Sequence, residues 1–217
     1  MNIKPTIKIC GLQSEGDVIA VNDVSAQYAG FVLAPSKRQI SINKLCKLVS
    51  RLQNSVTPVA VTVNASAAEV GRMIEEAGVT HIQLHGDENV THCAQLRQRF
   101  APNITLIKAL PARGEKTLQQ IRRYGDVVDT ILIDTYQPNL RGGSGKTFQW
   151  HDIPAYQEAC RAINVPLWIA GGLNPDNVQR LIEQHAPDGV DVSSGVEHEG
   201  IKSANRMRQF VRKVRAV

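Results

Sequence analysis

The 217-residue chain has no apolar run near the roughly 20 residues that cross a bilayer. Its first residues, Met1-Asn2-Ile3-Lys4-Pro5, lack the basic segment, apolar stretch and small-residue cleavage site of an export signal. Cysteine is sparse. Cys10, Cys46, Cys93 and Cys160 form no CxxC pair, no zinc-ligand spacing and no disulfide framework. Free thiols in a reducing cytoplasm are therefore expected, with no metal site. A glycine-rich dinucleotide turn is also missing, since Cys10-Gly11-Leu12-Gln13-Ser14-Glu15 is not GxGxxG. So is a nucleotide P-loop: Arg141-Gly142-Gly143-Ser144-Gly145-Lys146-Thr147 has Leu140 where GxxxxGK[ST] needs its first glycine. No linker, low-complexity segment or composition break divides the chain.

The net charge is +5 and the pI about 9.1, but the basic residues form no block. The densest group is Arg206, Arg208, Arg212, Lys213 and Arg215. It alternates with Met207, Phe210, Val211 and Val214 and reads as an amphipathic helix with a solvated basic face. No nucleic-acid or membrane partner is expected, and a mildly basic chain suits a small anionic substrate.

What the chain does have is alternation. Short β-branched runs at 6–10, 28–33, 57–63, 81–84, 105–109, 130–134, 166–170 and 189–192 are each followed by a longer amphipathic stretch. Leu45, Leu48, Val49 and Leu52 mark one helix face. Gly78 stands where a C-terminal cap is expected, and Asn174-Pro175-Asp176 predicts a helix start with an N-cap and a proline at the first turn. Eight strands alternating with eight helices predict a parallel sheet with helical crossovers. The count favours a closed (β/α)8 barrel, the TIM-barrel architecture, as one domain over 1–217.

In a strand, alternate side chains share a face. Lys8 pairs in facing with Cys10, His81 with Gln83 and His85, Leu132 with Asp134, and Asp191 with Ser193. If the polar sets point inward, Cys10, His85, Asp134 and Asp191 meet at the C-terminal mouth, where this fold does chemistry. Each residue also has a plainer reading. A strand-end cysteine can simply pack, and a strand-end aspartate can anchor a loop. Asp134, closing the apolar run Thr130-Ile131-Leu132-Ile133, is partly desolvated, which suits proton donation. Three glycine-bearing tips, Gly143-Ser144-Gly145, Gly171-Gly172 and Ser193-Ser194-Gly195, fall in the last three strand-to-helix connections and together predict a phosphate site. Arg38, in Ser36-Lys37-Arg38-Gln39, is either a solvated loop residue or the partner of a substrate carboxylate.

Taken in order, these pieces resemble the phosphoribosylanthranilate isomerase family of tryptophan biosynthesis. The resemblance runs from Lys8 to about Phe210. It rests on Lys8-Ile9-Cys10-Gly11, Gly30-Phe31-Val32 with Ser36-Lys37-Arg38, Gln83-Leu84-His85-Gly86, Asp134 with Gly142 to Phe148, Gly171-Gly172-Leu173-Asn174-Pro175, and Asp191-Val192-Ser193-Ser194-Gly195-Val196-Glu197. It implies a cofactor-free Amadori rearrangement of N-(5-phosphoribosyl)anthranilate to 1-(2-carboxyphenylamino)-1-deoxyribulose 5-phosphate. By resemblance, Cys10 matches the general base and Asp134 the general acid. Arg38 matches the residue that holds the anthranilate carboxylate, His85 and Asp191 match residues near the substrate, and the glycine loops with Ser193 and Ser194 match the phosphate site. A thiolate base needs positive potential nearby, and Lys8 is the candidate source. A monomer and a homodimer are equally compatible.

Two departures stand out. Ser25-Ala26-Gln27 replaces the usual Gly-Ala-Asp, and Thr62-Val63-Asn64 replaces Phe-Val-Asn, which is expected to remove apolar volume at the mouth. Two other readings are a related histidine-pathway sugar isomerase, which uses aspartates for both proton transfers, and a non-catalytic phosphosugar-binding barrel. Cys10 opposes the first, and the Cys10, Asp134 and Arg38 set opposes the second.

Overall fold

Eight parallel strands hydrogen-bond in chain order and close on themselves, with β8 returning to β1. They are β1 (Thr6–Cys10), β2 (Tyr28–Val32), β3 (Thr57–Thr62), β4 (His81–Leu84), β5 (Thr105–Pro111), β6 (Thr130–Asp134), β7 (Leu167–Ile169) and β8 (Gly189–Val192). The crossovers carry α1 (Glu15–Asn22), α2 (Ile42–Val49), α3 (Ala67–Ala77), α4 (Val90–Phe100), α5 (Glu115–Ile121), α6 (Ile153–Ala162) and α7 (Val178–His185), and α8 (Ala204–Arg215) follows β8. This computed structural model describes residues 4–134 and 150–217. Among them, no helix is long and apolar enough to cross a membrane.

The two strand faces sort as the period-2 pattern predicts. Ile7, Ile9, Phe31, Ala60, Ile82, Leu84, Ile131 and Ile133 point outward and are buried with the helices' apolar stripes. Val59, Ile107, Ala109, Leu132, Trp168 and Ala170 fill the barrel interior, and Tyr28 lies with its ring 4.9 Å from that of Trp168. The lumen is thus plugged from below and leaves the polar residues at the upper end of each strand.

Local chemistry sets most helix starts. Ser14 and Ser66 form capping boxes with Asp17 and Glu69, and Ser41, Asn89 and Ser203 each accept from the backbone N–H three residues on. Gly78 caps α3 in the left-handed conformation, φ 66°. The helix predicted from Asn174-Pro175-Asp176 starts later, at Val178. There Asn174 Oδ1 accepts from Asp176 N–H at 2.8 Å and Asn177 Oδ1 from Asn174 N–H at 2.9 Å, so these side chains hold a turn ahead of α7 instead. Thr62 corrects a second expectation. It shares the outward face of Ala60 and donates to the Gln83 carbonyl, so no volume is lost from the barrel interior at this position. Gln27 takes up the N-terminal end of β1 by accepting from Ile7 N–H at 2.8 Å.

One buried ion pair braces the mouth from outside the lumen. Lys108 Nζ donates to Glu88 Oε2 at 2.7 Å and to the Gly86 carbonyl at 2.8 Å. Glu88 also accepts from the backbone N–H groups of Asn64 and Gly86. The loops after β3 and β4 are thereby tied to β5. Lys108→Met strands Glu88 in an apolar layer and is expected to cost about 3–5 kcal/mol in urea unfolding. Burial pushes the Glu88 carboxyl up, but Lys108 and the backbone donors outweigh it and hold the group below its usual 4.5. A lowered acid stabilises the fold while ionised, so this contribution is complete above pH 4.5 and fades as the pH falls through the lower folded value. The stability gap between the unmodified chain and Glu88→Gln should narrow over that acid range.

Candidate active site

Cys10 closes β1 at the mouth and is 7% exposed. One layer below it Lys8, wholly buried, pairs with Asp191 of β8, Nζ to Oδ1 at 2.9 Å. Both β1 side chains lean over β2 at Gly30. A methyl group there would meet Cys10 Sγ at 2.8 Å and Lys8 Nζ at 3.0 Å, so the missing side chain of Gly30 is the space they occupy. Asp191, read from sequence as a residue near the substrate, therefore holds Lys8. Despite burial, Asp191 and Cys10 keep Lys8 above its usual pKa and hence charged.

Lys8 does pull the Cys10 thiol down, but it does not prevail. Burial pushes the thiol up, Lys8 pulls it down and Asp191 pushes it up again. The sum lies above the usual 9.0 because desolvation dominates. Burial also raises Cys93 to about 11 and Cys160 to about 12. Cys10 differs from Cys93 and Cys160 in its place at the mouth, with Lys8 and Lys202 both pulling its thiol down. Replacing Lys8 and Asp191 together, Lys8→Met with Asp191→Asn, avoids a lone buried carboxylate and removes the stronger, downward influence. It should slow iodoacetamide alkylation of the Cys10 peptide at mildly alkaline pH, as read by mass spectrometry. An unchanged rate would remove Lys8 from this role.

Asp134 ends β6, which is separated from β1 by β7 and β8. His85, just past β4, faces it at 3.5 Å from Nε2 to Oδ2. Gln83, 1% exposed, donates its amide N–H to His85 Nδ1 at 3.0 Å.

Arg38 belongs to a turn in which its N–H donates to Ser36 Oγ, and Ile40 N–H ties that turn back to the Val32 carbonyl of β2. Its guanidinium forms two bonds to Glu197, Nε to Oε1 at 2.7 Å and Nη2 to Oε2 at 2.8 Å. Lys202 donates to the same Glu197 Oε1 at 2.7 Å and to the Ser193 carbonyl at 2.9 Å. Glu197 and Lys202 come from a small antiparallel hairpin, β9 (Glu197–His198) and β10 (Ile201–Lys202), between β8 and α8. The site reading from sequence did not include either residue. Glu197 ends the run Asp191-Val192-Ser193-Ser194-Gly195-Val196-Glu197, and nothing in the spacing around Lys202 signals it.

Gly171 and Gly172 follow β7 with φ of 82° and 67°. Ser193 precedes a 3-10 turn at Ser194–Val196. A side chain on Gly195 would strike the Leu173 carbonyl, so the two loops meet backbone to backbone. The structure thus brings together Gly171, Gly172, Ser193, Ser194 and Gly195. Gly143, Ser144 and Gly145 lie outside the described residues. Among the described residues, no group of three or more His, Cys, Asp and Glu is placed to hold a metal ion.

Known proteins match this chain in sequence and in fold. The family model described as N-(5'-phosphoribosyl)anthranilate (PRA) isomerase matches residues 7–213. An N-(5'-phosphoribosyl)anthranilate isomerase from Brevibacillus brevis is 38% identical over 97% of this chain and 93% of its own length. The crystal structure of phosphoribosyl anthranilate isomerase from Thermotoga maritima superimposes with a TM-score of 0.86 at 32% identity, covering 98% of this chain and 100% of that one. A further isomerase structure, in complex with reduced 1-(o-carboxyphenylamino)-1-deoxyribulose 5-phosphate, has a TM-score of 0.83 at 30% identity with the same coverage.

Proposed function

The chain belongs to the N-(5'-phosphoribosyl)anthranilate isomerase family, and from that membership we propose that Cys10 and Asp134 carry out the family's reaction here. That reaction is the rearrangement of N-(5'-phosphoribosyl)anthranilate to 1-(2-carboxyphenylamino)-1-deoxyribulose 5-phosphate in tryptophan biosynthesis. Asp134 gives its proton to the furanose ring oxygen. The C1'–O bond breaks toward that oxygen, and the anilino nitrogen's lone pair forms the C1'=N bond of a Schiff base. The Cys10 thiolate then removes the C2' proton, and the C2'–H electrons move in to give the enolamine. The C2' hydroxyl loses its proton, C1' gains one, and the ketone results. Both side chains return to their starting protonation through proton exchange with product and solvent.

The single observation that carries this assignment is the order of groups around the mouth. Asp134 on β6, the glycine and serine loops after β7 and β8, Cys10 on β1 and Arg38 after β2 occupy five consecutive strands of the barrel. A phosphate in the β7–β8 loops would anchor the sugar between acid and base, with the aryl carboxylate extending toward Arg38. In this reading Gly171, Gly172, Ser193, Ser194 and Gly195, with Gly143, Ser144 and Gly145, bind phosphate, while His85 and Asp191 orient Asp134 and Lys8. The substrate is a small phosphosugar, and the free thiols suit a reducing cytoplasm.

The test is to incubate purified protein with freshly made phosphoribosylanthranilate and follow the aminoketose by chromatography. Steady product formation is expected. Folded protein that leaves the substrate untouched, or that turns over only the histidine-pathway ribonucleotide, overturns the assignment.

A further inference from the structure

Arg38, Glu197 and Lys202 form a charge cluster beside the acid and the base, and of its members Lys202 alone also acts on Cys10. It lies against the same mouth. A methyl group on Gly11, the residue after Cys10, would run into the Arg38 side chain and meet Ser193 Oγ at 3.0 Å. The three side chains are 11%, 6% and 3% exposed, respectively. A buried carboxylate held by two cations leaves one positive charge in excess, which matches one carboxylate brought by a substrate.

The direction of the arginine fork matters more than the charge. An arginine has two edges that can grip a carboxylate with parallel N–H bonds: Nε with one terminal nitrogen, and the two terminal nitrogens together. Glu197 takes the Nε–Nη2 edge. Lys202 fixes Glu197 in turn and ties it to Ser193, a residue of the proposed phosphate loop. The partners Arg38 and Glu197 are 159 positions apart in the chain. The β9–β10 hairpin is what brings them together.

We propose that Glu197, seated by Lys202, is a positioning residue that clamps the Nε–Nη2 edge of Arg38 so that its Nη1–Nη2 edge grips the substrate's aryl carboxylate. The β9–β10 hairpin thereby sets the preference for a carboxylated arylamine over an uncarboxylated one. Glu197 touches no reacting atom. It acts by holding Arg38 still and by fixing the distance from that carboxylate grip to the loop that holds the phosphate. The inference rests on the reading of Arg38 as the carboxylate-binding residue.

The experiment compares two substrates, phosphoribosylanthranilate and the aniline counterpart that lacks the carboxylate, on full-length protein. The quantity read is the ratio of their kcat/KM values, with kcat and KM separated and folding checked by thermal melting. Arg38→Ala should abolish the preference for the carboxylated substrate. Glu197→Gln, which keeps the shape but loses the charge and one acceptor, should cut the preference about tenfold or more, mostly through KM, the scale of a lost charge-assisted pair. If Arg38→Ala loses the preference while folded Glu197→Gln retains it, the inference on Glu197 is wrong and the role of Arg38 stands. If Arg38→Ala itself retains the preference, the role of Arg38 fails and the inference falls with it. Should Glu197→Gln not fold, Lys202→Met reads the same ratio. A fall supports the clamp, and an unchanged ratio overturns it.

Discussion

Cys10→Ala is expected to lower turnover of phosphoribosylanthranilate by about 10²–10⁴-fold, the scale of a lost general base, while the barrel still melts cooperatively. The loss should appear in kcat, because the thiol acts on a bound Schiff base and contributes little to holding the phosphate or the carboxylate. Cys10→Ser is the sharper variant. It keeps size and polarity but replaces a thiol by a hydroxyl that is far harder to deprotonate, so it should fall nearly as far. Near-normal turnover in either variant would return Cys10 to a packing role.

The environment of Cys10 constrains how that base is made ready. Burial wins over Lys8, so the thiol sits above its usual 9.0. The reaction needs one proton between the two groups, absent from sulfur and present on the carboxyl. The form with that proton on sulfur carries the same total charge and the same number of protons. The balance between the two forms is therefore independent of pH and is set by the local field. With Cys10 as the proposed base, Lys8 and Lys202 favour the form with a thiolate, and this is the role the proposal gives to a cation wholly buried beneath the site. The pair Lys8–Asp191 costs desolvation, and Asp191 is what keeps Lys8 charged at that depth. The strain of burying Lys8 is thus tied directly to the reactivity of the residue one layer above it.

How much of this was legible without coordinates depends on the range of the interaction. The β-branched runs and their alternation with helices place all eight strands, because strand and helix periods are local. The inward set Lys8, Cys10, Gln83 and Asp134 follows from parity within single strands. The start of α7 was misread because Asn174 and Asn177 can cap a helix or close a turn, and only the path of the chain after β7 decides between them. Parity with Ala60 puts Thr62 on the outward face of β3, so its effect on the mouth is not a matter of interior volume. The Lys8–Asp191 and Arg38–Glu197 pairs join residues 183 and 159 positions apart, and no spacing rule connects such distances. Burial strength is a property of the closed barrel as well, so the direction in which the thiol moves had to come from the structure.

Asp134→Asn should lower turnover by about 10²–10⁴-fold, and the reasoning differs from that for Cys10. Ring opening expels an alkoxide from C1', a poor leaving group unless the ring oxygen is protonated as the bond breaks. Asparagine has the same shape and can still hydrogen-bond that oxygen, but its amide has no proton to give at ordinary pH. Substrate binding should therefore survive while the chemical step fails, and KM should change far less than kcat. A pre-opened Schiff-base analogue bypasses the missing proton, so it should bind Asp134→Asn about as well as it binds the unmodified protein. His85 faces Asp134 from the far side of β5, Nε2 to Oδ2 at 3.5 Å, with Gln83 against its Nδ1. At 3.5 Å the His85–Asp134 contact is loose, so His85→Asn should cost much less than Asp134→Asn. If the two variants lose turnover equally, the proton donor is the His85–Asp134 pair acting as a unit. If Asp134→Asn turns over nearly normally, the ring oxygen is protonated by another group, and the residue that closes β6 is a loop anchor after all.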